Sequence, residues 1–432
     1  MTRKNKTATT NGNGGPDGDP DCTEVLEDDS RSILMGIIAQ LGKGTDLHRV
    51  TLPTFVLEPR SMLERITDFM SHPELLLEAT TPTDPLDRFI GVVGFFLSGW
   101  HIKPKGVKKP YNPVLGEIFR SRWKYANGTE AIYVAEQVSH HPPMSAYHYA
   151  SPENGIMIQG NLRPKPKFLG NSAATLMEGS STITMERWNN EQYFITMPNV
   201  YARGILFGKM VMELGDSCSV KCPKNGFVCE LNFKTKGFFS GQYNAVTGKI
   251  KNETTGQVLK EISGTWSNEL FIHAPKSSKK QSLFDVKKST IHPMIVEQEH
   301  QQENHESRRL WSKVTDALKR KDMDTATNEK MWIEDKQRAD AKERQIQGTQ
   351  FKSRFFRLNP STNEYILKSD DNDGVATNIK TLDAFVFGTS SSTSSPSTTN
   401  CTPTTKKVDS TMMTATTTTT TTTTTDKNLV AT

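Results

Sequence analysis

The sequence contains no run of about 18 or more apolar residues, so no segment can cross a bilayer as a helix. It has little excess of either charge. Lys and Arg number 53 against 48 Asp and Glu, a formal net of +5 over 432 residues. So even a balance argues against a nucleic-acid binder held by bulk charge, while leaving room for local basic patches that face phosphate or acidic lipid. Cysteine is scarce, with five residues in all. Cys218, Cys222 and Cys229 stand close together, but their spacing fits no common zinc pattern and no fourth ligand lies nearby. They are expected to be plain buried thiols in a reducing compartment, and no metal is expected. No phosphate-cradling P-loop, Gly-x-Ser-x-Gly elbow, zinc-protease helix or dinucleotide fingerprint is present, so catalysis has little support and no cofactor is expected. The N-terminus also lacks the apolar core of a signal peptide. A cytosolic protein is the resulting expectation.

Composition then divides the chain. Residues 1–23 form a polar leader rich in Gly, Asn and Pro, and 371–432 a Ser/Thr-rich tail with ten consecutive threonines, Thr416 to Thr425. Neither can bury a core, and both are expected to be disordered. The globular part is therefore drawn from about 24 to about 370. Within it, Ser30 to Trp100 carries helical patterns. "SILMGIIAQL" places Ile33, Leu34, Ile37, Ile38 and Leu41 on one stripe, "SMLERITDFMSHPELLLEA" is a longer helical pattern, and "LDRFIGVVGFFLSGW" is apolar nearly throughout. From about Asn112 to Ala274 short runs rich in β-branched and aromatic residues alternate with Gly, Asn and Pro turns at intervals of roughly 8–12 residues. So many short strands point to one large antiparallel sheet, most economically closed as a barrel. A densely charged helical zone follows, giving an α+β order of helices, sheet, helices.

Three stretches could carry chemistry. In "EQVSHHPP" two histidines stand directly before two prolines, which donate no ladder hydrogen bond and end the strand. His140 and His141 could converge there on a phosphate, or they could be two half-exposed rings on a terminating strand. "GVKKPYNPVLGE" holds Lys109 and Asn112 in a loop stiffened by proline, either an anion cradle or a rigid turn. In "NEKMWIEDKQR", Lys330, Glu334 and Arg338 recur every four residues on one helix face. They form an intrahelical pairing or a phosphate clamp. The Ile33–Leu41 stripe either packs on the core or serves as a movable cover.

"EQVSHHPP" resembles the signature of the oxysterol-binding-protein family. The resemblance runs from about Ser30 to about Phe356 through "LPTFVLEPRSMLE", "GWHIKPKGVKKPYNPVLGE", "KFLGNSAATLMEG", "YARGILFGKM" and "ESRRLWSKVTDAL". The longer matches are similar to the short single-domain branch that exchanges phosphatidylserine for phosphatidylinositol 4-phosphate. The resemblance implies a near-complete antiparallel β-barrel enclosing one lipid, with an N-terminal lid at about 30–42. It implies that His140, His141 and Arg338 hold the inositol 4-phosphate. Lys109, Asn112, Lys330 and Glu334 would surround the glycerol phosphate and inositol ring, and backbone near Leu52 would contribute amides. A non-enzymatic lipid carrier follows, a monomer in transient contact with anionic membranes, with phosphatidylserine or a sterol as second cargo. One position departs from the family pattern. Where the phosphatidylserine carriers have serine before "KFLGNS", this chain has Pro166, which offers neither a hydroxyl nor an N–H.

Overall fold

Alternating apolar and polar residues between Ile118 and Asp285 build thirteen strands of one antiparallel sheet, which a short strand at Thr23–Val25 completes to 14, in a computed structural model of the chain. The structure describes residues 19–47, 50, 52–207, 209–237, 241–368 and 378–388. The leader before residue 19 and the threonine run lie outside the described residues.

Four helices precede the sheet, namely α1 (Asp28–Ile38), α2 (Met62–Arg65), α3 (Pro73–Ala79) and α4 (Pro85–Ser98). Asp84 caps α4 by accepting the N–H of Leu86 at 2.8 Å, and Pro85 occupies its first position. As the composition of its segment predicts, α4 buries Phe89, Val92, Val93, Phe95, Phe96 and Leu97. The segment before it is not one helix. A 3-10 stretch, Ile66–Met70, follows α2, and α3 restarts at Pro73, because the residue before a proline is steered out of the helical region.

Short β1 (Thr23–Val25), β2 (Leu57–Ser61) and β3 (Lys109–Tyr111) precede the main run. That run comprises β4 (Ile118–Lys124), β5 (Glu130–His140), β6 (Pro143–Ser151), β7 (Ile156–Phe168) and β8 (Ser172–Met185). It continues through β9 (Glu191–Ile195), β10 (Asn199–Arg203), β11 (Lys209–Cys222), β12 (Phe227–Lys234) and β13 (Ala245–Asn252). The last members are β14 (Val258–Thr265), β15 (Glu269–His273) and β16 (Gln281–Asp285). The strand order leaves β4 and β16 at opposite ends of the path. The chain leaving β16 then runs back along β4. Ile295 exchanges backbone hydrogen bonds with Arg122 at 2.7 and 2.9 Å, and Ile118 N–H donates to His305 at 2.9 Å. An irregular segment thus joins the two ends of the sheet.

Inward-facing residues, α3 and α4 share one apolar core that includes Cys22, Cys218, Cys222 and Cys229, all buried thiols. No cluster of metal-binding side chains occurs among the described residues. The outer face of β5 is covered too. Ile132, Val134 and Val138 pack under the hairpin of β17 (Phe356–Asn359) and β18 (Glu364–Leu367) and under a terminal helix. Helices α5 (Ser307–Leu310), α6 (Ser312–Lys319) and α7 (Met323–Gln347) lie before that hairpin, and α8 (Ile379–Phe387) after it. Leu382 and Val386 of α8 are fully buried. The folded part therefore extends beyond the boundary near 370 drawn from composition, and the tail expected from 371 overlaps a packed helix.

Candidate functional site

Along the open end of the sheet, every second side chain faces a common space. Leu162, Pro164, Pro166 and Phe168 of β7, Ala173, Thr175 and Met177 of β8, and Met210 and Met212 of β11 line it. From α1 and the turn after it come Leu34, Ile37, Ile38 and Leu41. They enclose a cavity of about 310 Å³.

The segment that carries α1 is fastened at both ends. Before α1, β1 pairs with Lys209–Val211 of β11. After it, Gly44 donates to Phe168 at 2.7 Å, and Phe168 donates to Thr45 at 3.0 Å. The second fastening uses an edge that β6 leaves free, since β6 pairs with β7 only as far as Leu162. Pro166 sits on that stretch, opposite Thr175 of β8, where a missing N–H disturbs one ladder at most. Ile33 departs from the expected stripe. It is 55% exposed, whereas Leu34, one position on, is 7% exposed and faces the cavity. Burying a leucine contributes about 1.5–3 kcal/mol, so Leu34 rather than Ile33 holds α1 against the sheet.

The polar side of the cavity is assembled by α5–α7. Tyr111 stacks on Trp311 at 4.6 Å, and Leu57, Val114, Val314 and Ile333 complete that small core. Beneath it lies the fully buried carboxylate of Glu117, which accepts from Trp311 Nε1 at 2.9 Å, Ser307 Oγ at 2.7 Å, the N–H of Val114 at 3.0 Å, and the hydroxyl of Ser61. Its environment pushes the carboxyl pKa up through burial, which these donors oppose. The loop carrying Lys109 and Asn112 is therefore rigid, and both residues line the cavity. Lys109 keeps accessible surface because it faces that space, yet protein surrounds it. Burial, then Lys330, push its ammonium down to about 8, with Glu334 pulling the other way.

On α7, Lys330 pairs with Glu334 at 2.6 Å. His140 and His141 occupy a tight hairpin between β5 and β6, with ring centroids 4.6 Å apart and planes at 72°. His140 is half-buried and His141 exposed. The strand does end there, but its successor begins at once at Pro143, so the prolines make a turn rather than a stop. Joining these pieces is a residue the sequence reading passed over, Gln337. Its Oε1 accepts the N–H of Leu115 at 2.8 Å, and its Nε2 stands 3.0 Å from Nε2 of His140. Its position seven after Lys330, on the same helix face, was the available signal.

Of the eight residues named from sequence, Leu52, Lys109 and Asn112 line the cavity. His140, Lys330 and Glu334 adjoin it through Gln337 and Lys109. Arg338 is exposed and pairs with Asp335 on its own helix. One polar residue of the signature and one just after it face inward besides. Gln137 and Ser145 line the cavity, hydrogen-bonded to each other at 2.6 Å. Glu136 points to the other face of β5 and accepts from Ser353 Oγ and from the N–H groups of Arg354 and Phe355, each at 2.8 Å. In this signature, then, Glu136 has a structural task.

A cavity beneath α1 with an apolar wall and ammonium groups on one side has the design of a lipid-binding protein. A family model described as "Oxysterol-binding protein" matches residues 36–373, and the chain belongs to that family. The oxysterol-binding protein homolog C23B6.01c of Schizosaccharomyces pombe is 48% identical over 81% of this chain and 75% of its own. Among solved structures, the Osh1 ORD domain in complex with ergosterol superposes with a TM-score of 0.66 at 23% identity, covering 82% of this chain and 87% of that one. The Osh3 ORD in complex with PI(4)P, from Saccharomyces cerevisiae, gives 0.62 at 21% identity, covering 80% and 90%. At those identities the likeness establishes the fold. No helix among the described residues is long and apolar enough to cross a membrane.

Proposed function

We propose that this protein extracts phosphatidylinositol 4-phosphate from a membrane and exchanges it for a second lipid, phosphatidylserine, working as a cytosolic monomer. The acyl chains occupy the cavity under α1. Lys109, Asn112, Lys330 and Glu334 meet the glycerol phosphate and inositol ring, with the backbone near Leu52 supplying amides. His140, His141 and Arg338 take the 4-phosphate, Arg338 leaving Asp335 to do so. The observation that carries this reading is Gln337, which ties the histidine hairpin to the Lys109 loop beside an apolar, lidded cavity. The complex of a fold relative with PI(4)P supports the first cargo.

The energetics demand such a design. Each methylene exposed to water costs about 0.8 kcal/mol, so a two-chain lipid with roughly thirty methylenes would lose on the order of 20 kcal/mol outside a membrane. A phosphate without partners at the entrance would be costly to desolvate, and ammonium groups offset that cost. The cavity as it stands, about 310 Å³, is at the low end for ligand pockets, so a two-chain lipid enters as the lid and wall give way. A sterol is the alternative cargo, favoured by the small volume, by Pro166 in the wall, and by the ergosterol complex of Osh1. Native mass spectrometry of the protein incubated with mixed liposomes distinguishes them. Phosphatidylinositol 4-phosphate and phosphatidylserine bound in alternation is the expected result. Sterol alone, with no phosphoinositide, would overturn the exchange.

A further inference from the structure

The strand that leads into the lid carries a carboxylate to the polar side of the cavity. Glu24 lies in β1, opposite Met210 of β11 and three residues before the cap of α1 at Glu27. One of its oxygens accepts the N–H of Val107 at 3.0 Å, and the other accepts the ammonium of Lys108. That ammonium also donates to the carbonyl of Phe55 at 2.7 Å. The loop is shaped for this approach. Gly106 has φ of +81°, and a Cβ there would stand 3.1 Å from the Glu24 carboxylate. Lys108 lines the same cavity as Lys109 and Asn112. Around this point three ammonium groups, on Lys108, Lys109 and Lys330, stand against the carboxylates of Glu24 and Glu334. Glu24 is the one carboxylate of this set that belongs to the lid's own anchor.

We propose that Glu24 is a positioning residue that competes with an anionic head group for the Lys108 ammonium, so that charged cargo loosens the lid and uncharged cargo leaves it fastened. The proposal rests on the reading of Lys109 and Asn112 as head-group residues. A phosphate drawn to the same ammonium brings a second negative charge beside Glu24, and two anions sharing one cation weaken each other's hold on it. Lid release then depends on what the protein carries. A carrier so built lets go of its lid most readily when a charged lipid is in place to be delivered.

The test is hydrogen exchange of segment 23–38 in the full-length protein. Wild type and Glu24→Gln are loaded with dioleoyl phosphatidylinositol 4-phosphate or with dioleoylglycerol, which share acyl chains and differ in charge. In wild type the segment should exchange roughly three- to tenfold faster with the phosphoinositide, a difference of at most about 1.4 kcal/mol. In Glu24→Gln the two loadings should agree, both at the faster rate. A purely structural Glu24 would give a variant that is faster throughout but keeps the difference between cargoes. That outcome, or cargo-independent exchange in wild type, overturns the proposal. Loading is read by native mass spectrometry. If the phosphoinositide does not load, the lipid assignment fails, and the latch is judged on lipid-free protein with glycerol 3-phosphate at matched ionic strength. Faster exchange in wild type that is absent from Glu24→Gln supports it, and no acceleration sinks it.

Discussion

On the wall of the cavity, inward residues come from neighbouring strands at every second position, as in the run Leu162, Pro164, Pro166, Phe168. On its polar side, Lys109, His140 and Lys330 come from three segments far apart in the chain, brought together by the Tyr111–Trp311 stack and by Gln337. The wall is redundant. Many side chains of similar character share the work, and a change at one is absorbed by the rest. Each polar group has a separate task and a fixed position, so a single change there removes a whole interaction.

The largest effect should therefore come from the polar side. Replacing His140 and His141 together with Ala should lower extraction of phosphatidylinositol 4-phosphate from liposomes about a hundredfold or more, since it removes two charge-assisted contacts of about 1.5–3 kcal/mol each. The melting temperature should shift little, because a half-buried and an exposed ring in a hairpin add little to the core. Normal extraction by the folded double variant would erase the contrast between the two regions.

Next comes the one part of the wall that is not redundant, the lid. Deleting residues 1–42 removes β1 and α1 and with them Leu34, Ile37, Ile38 and Leu41. Bound lipid should then escape at least about tenfold faster, and the protein should cling to anionic vesicles in a flotation assay. Normal retention would mean that α1 is packing alone.

A smaller effect, again on the polar side, follows from Lys109, whose ammonium is pushed down to about 8. A bound phosphate favours the charged form and so raises that value. The Lys109 contribution to affinity for anionic lipid should fall as pH rises through 8, by at most about tenfold per unit. Lys109→Met should bind weakly at every pH and lose the slope, as measured by fluorescence titration. A slope that survives in Lys109→Met would assign it to another group.

The smallest effect belongs to the wall. Pro166→Ser adds one neutral hydrogen bond, about 0.5–1.5 kcal/mol, and should raise preference for phosphatidylserine over phosphatidylcholine by less than about tenfold in competition transfer. Phosphatidylinositol 4-phosphate should transfer as before. If wild type moves sterol and ignores phosphatidylserine, the second cargo is a sterol.

What could be read from the sequence divides along the same line. Elements with a period were legible: α4 from its apolar density, the strands from alternation, helix α1 from its stripe. Ile33 was misplaced because a stripe five residues wide exceeds the arc that contacts a cavity. The break of the first helical zone at His72 and Pro73 needed the local steric rule rather than the hydrophobic period. Helix α8 escaped composition because its partner surface, Ile132, Val134 and Val138 on the outer face of β5, comes from a strand far earlier in the chain. No single period runs through the polar side, where only Lys330, Glu334 and Arg338 share a helical spacing. The rest was read from the resemblance of several stretches, and Gln337, on the same helix as Lys330, was missed.

The seam that joins β4 to the segment after β16 bears on how the chain is made. Arg120 and Glu306, hydrogen-bonded at 3.3 Å across it, are 186 positions apart. On a ribosome the strands from β4 to β16 emerge in order, each from β5 on able to pair with one already made. The edge of β4 keeps its unpaired N–H groups until residues 295–306 have left the exit tunnel. From the emergence of β4 until that segment is made, the nascent chain thus displays an open strand edge, the feature most prone to recruit another chain. Closure joins segments 186 positions apart, so it waits until both have been made. Substitutions along 295–306 should then lower the yield of folded protein during translation more than they lower the stability of what has already folded.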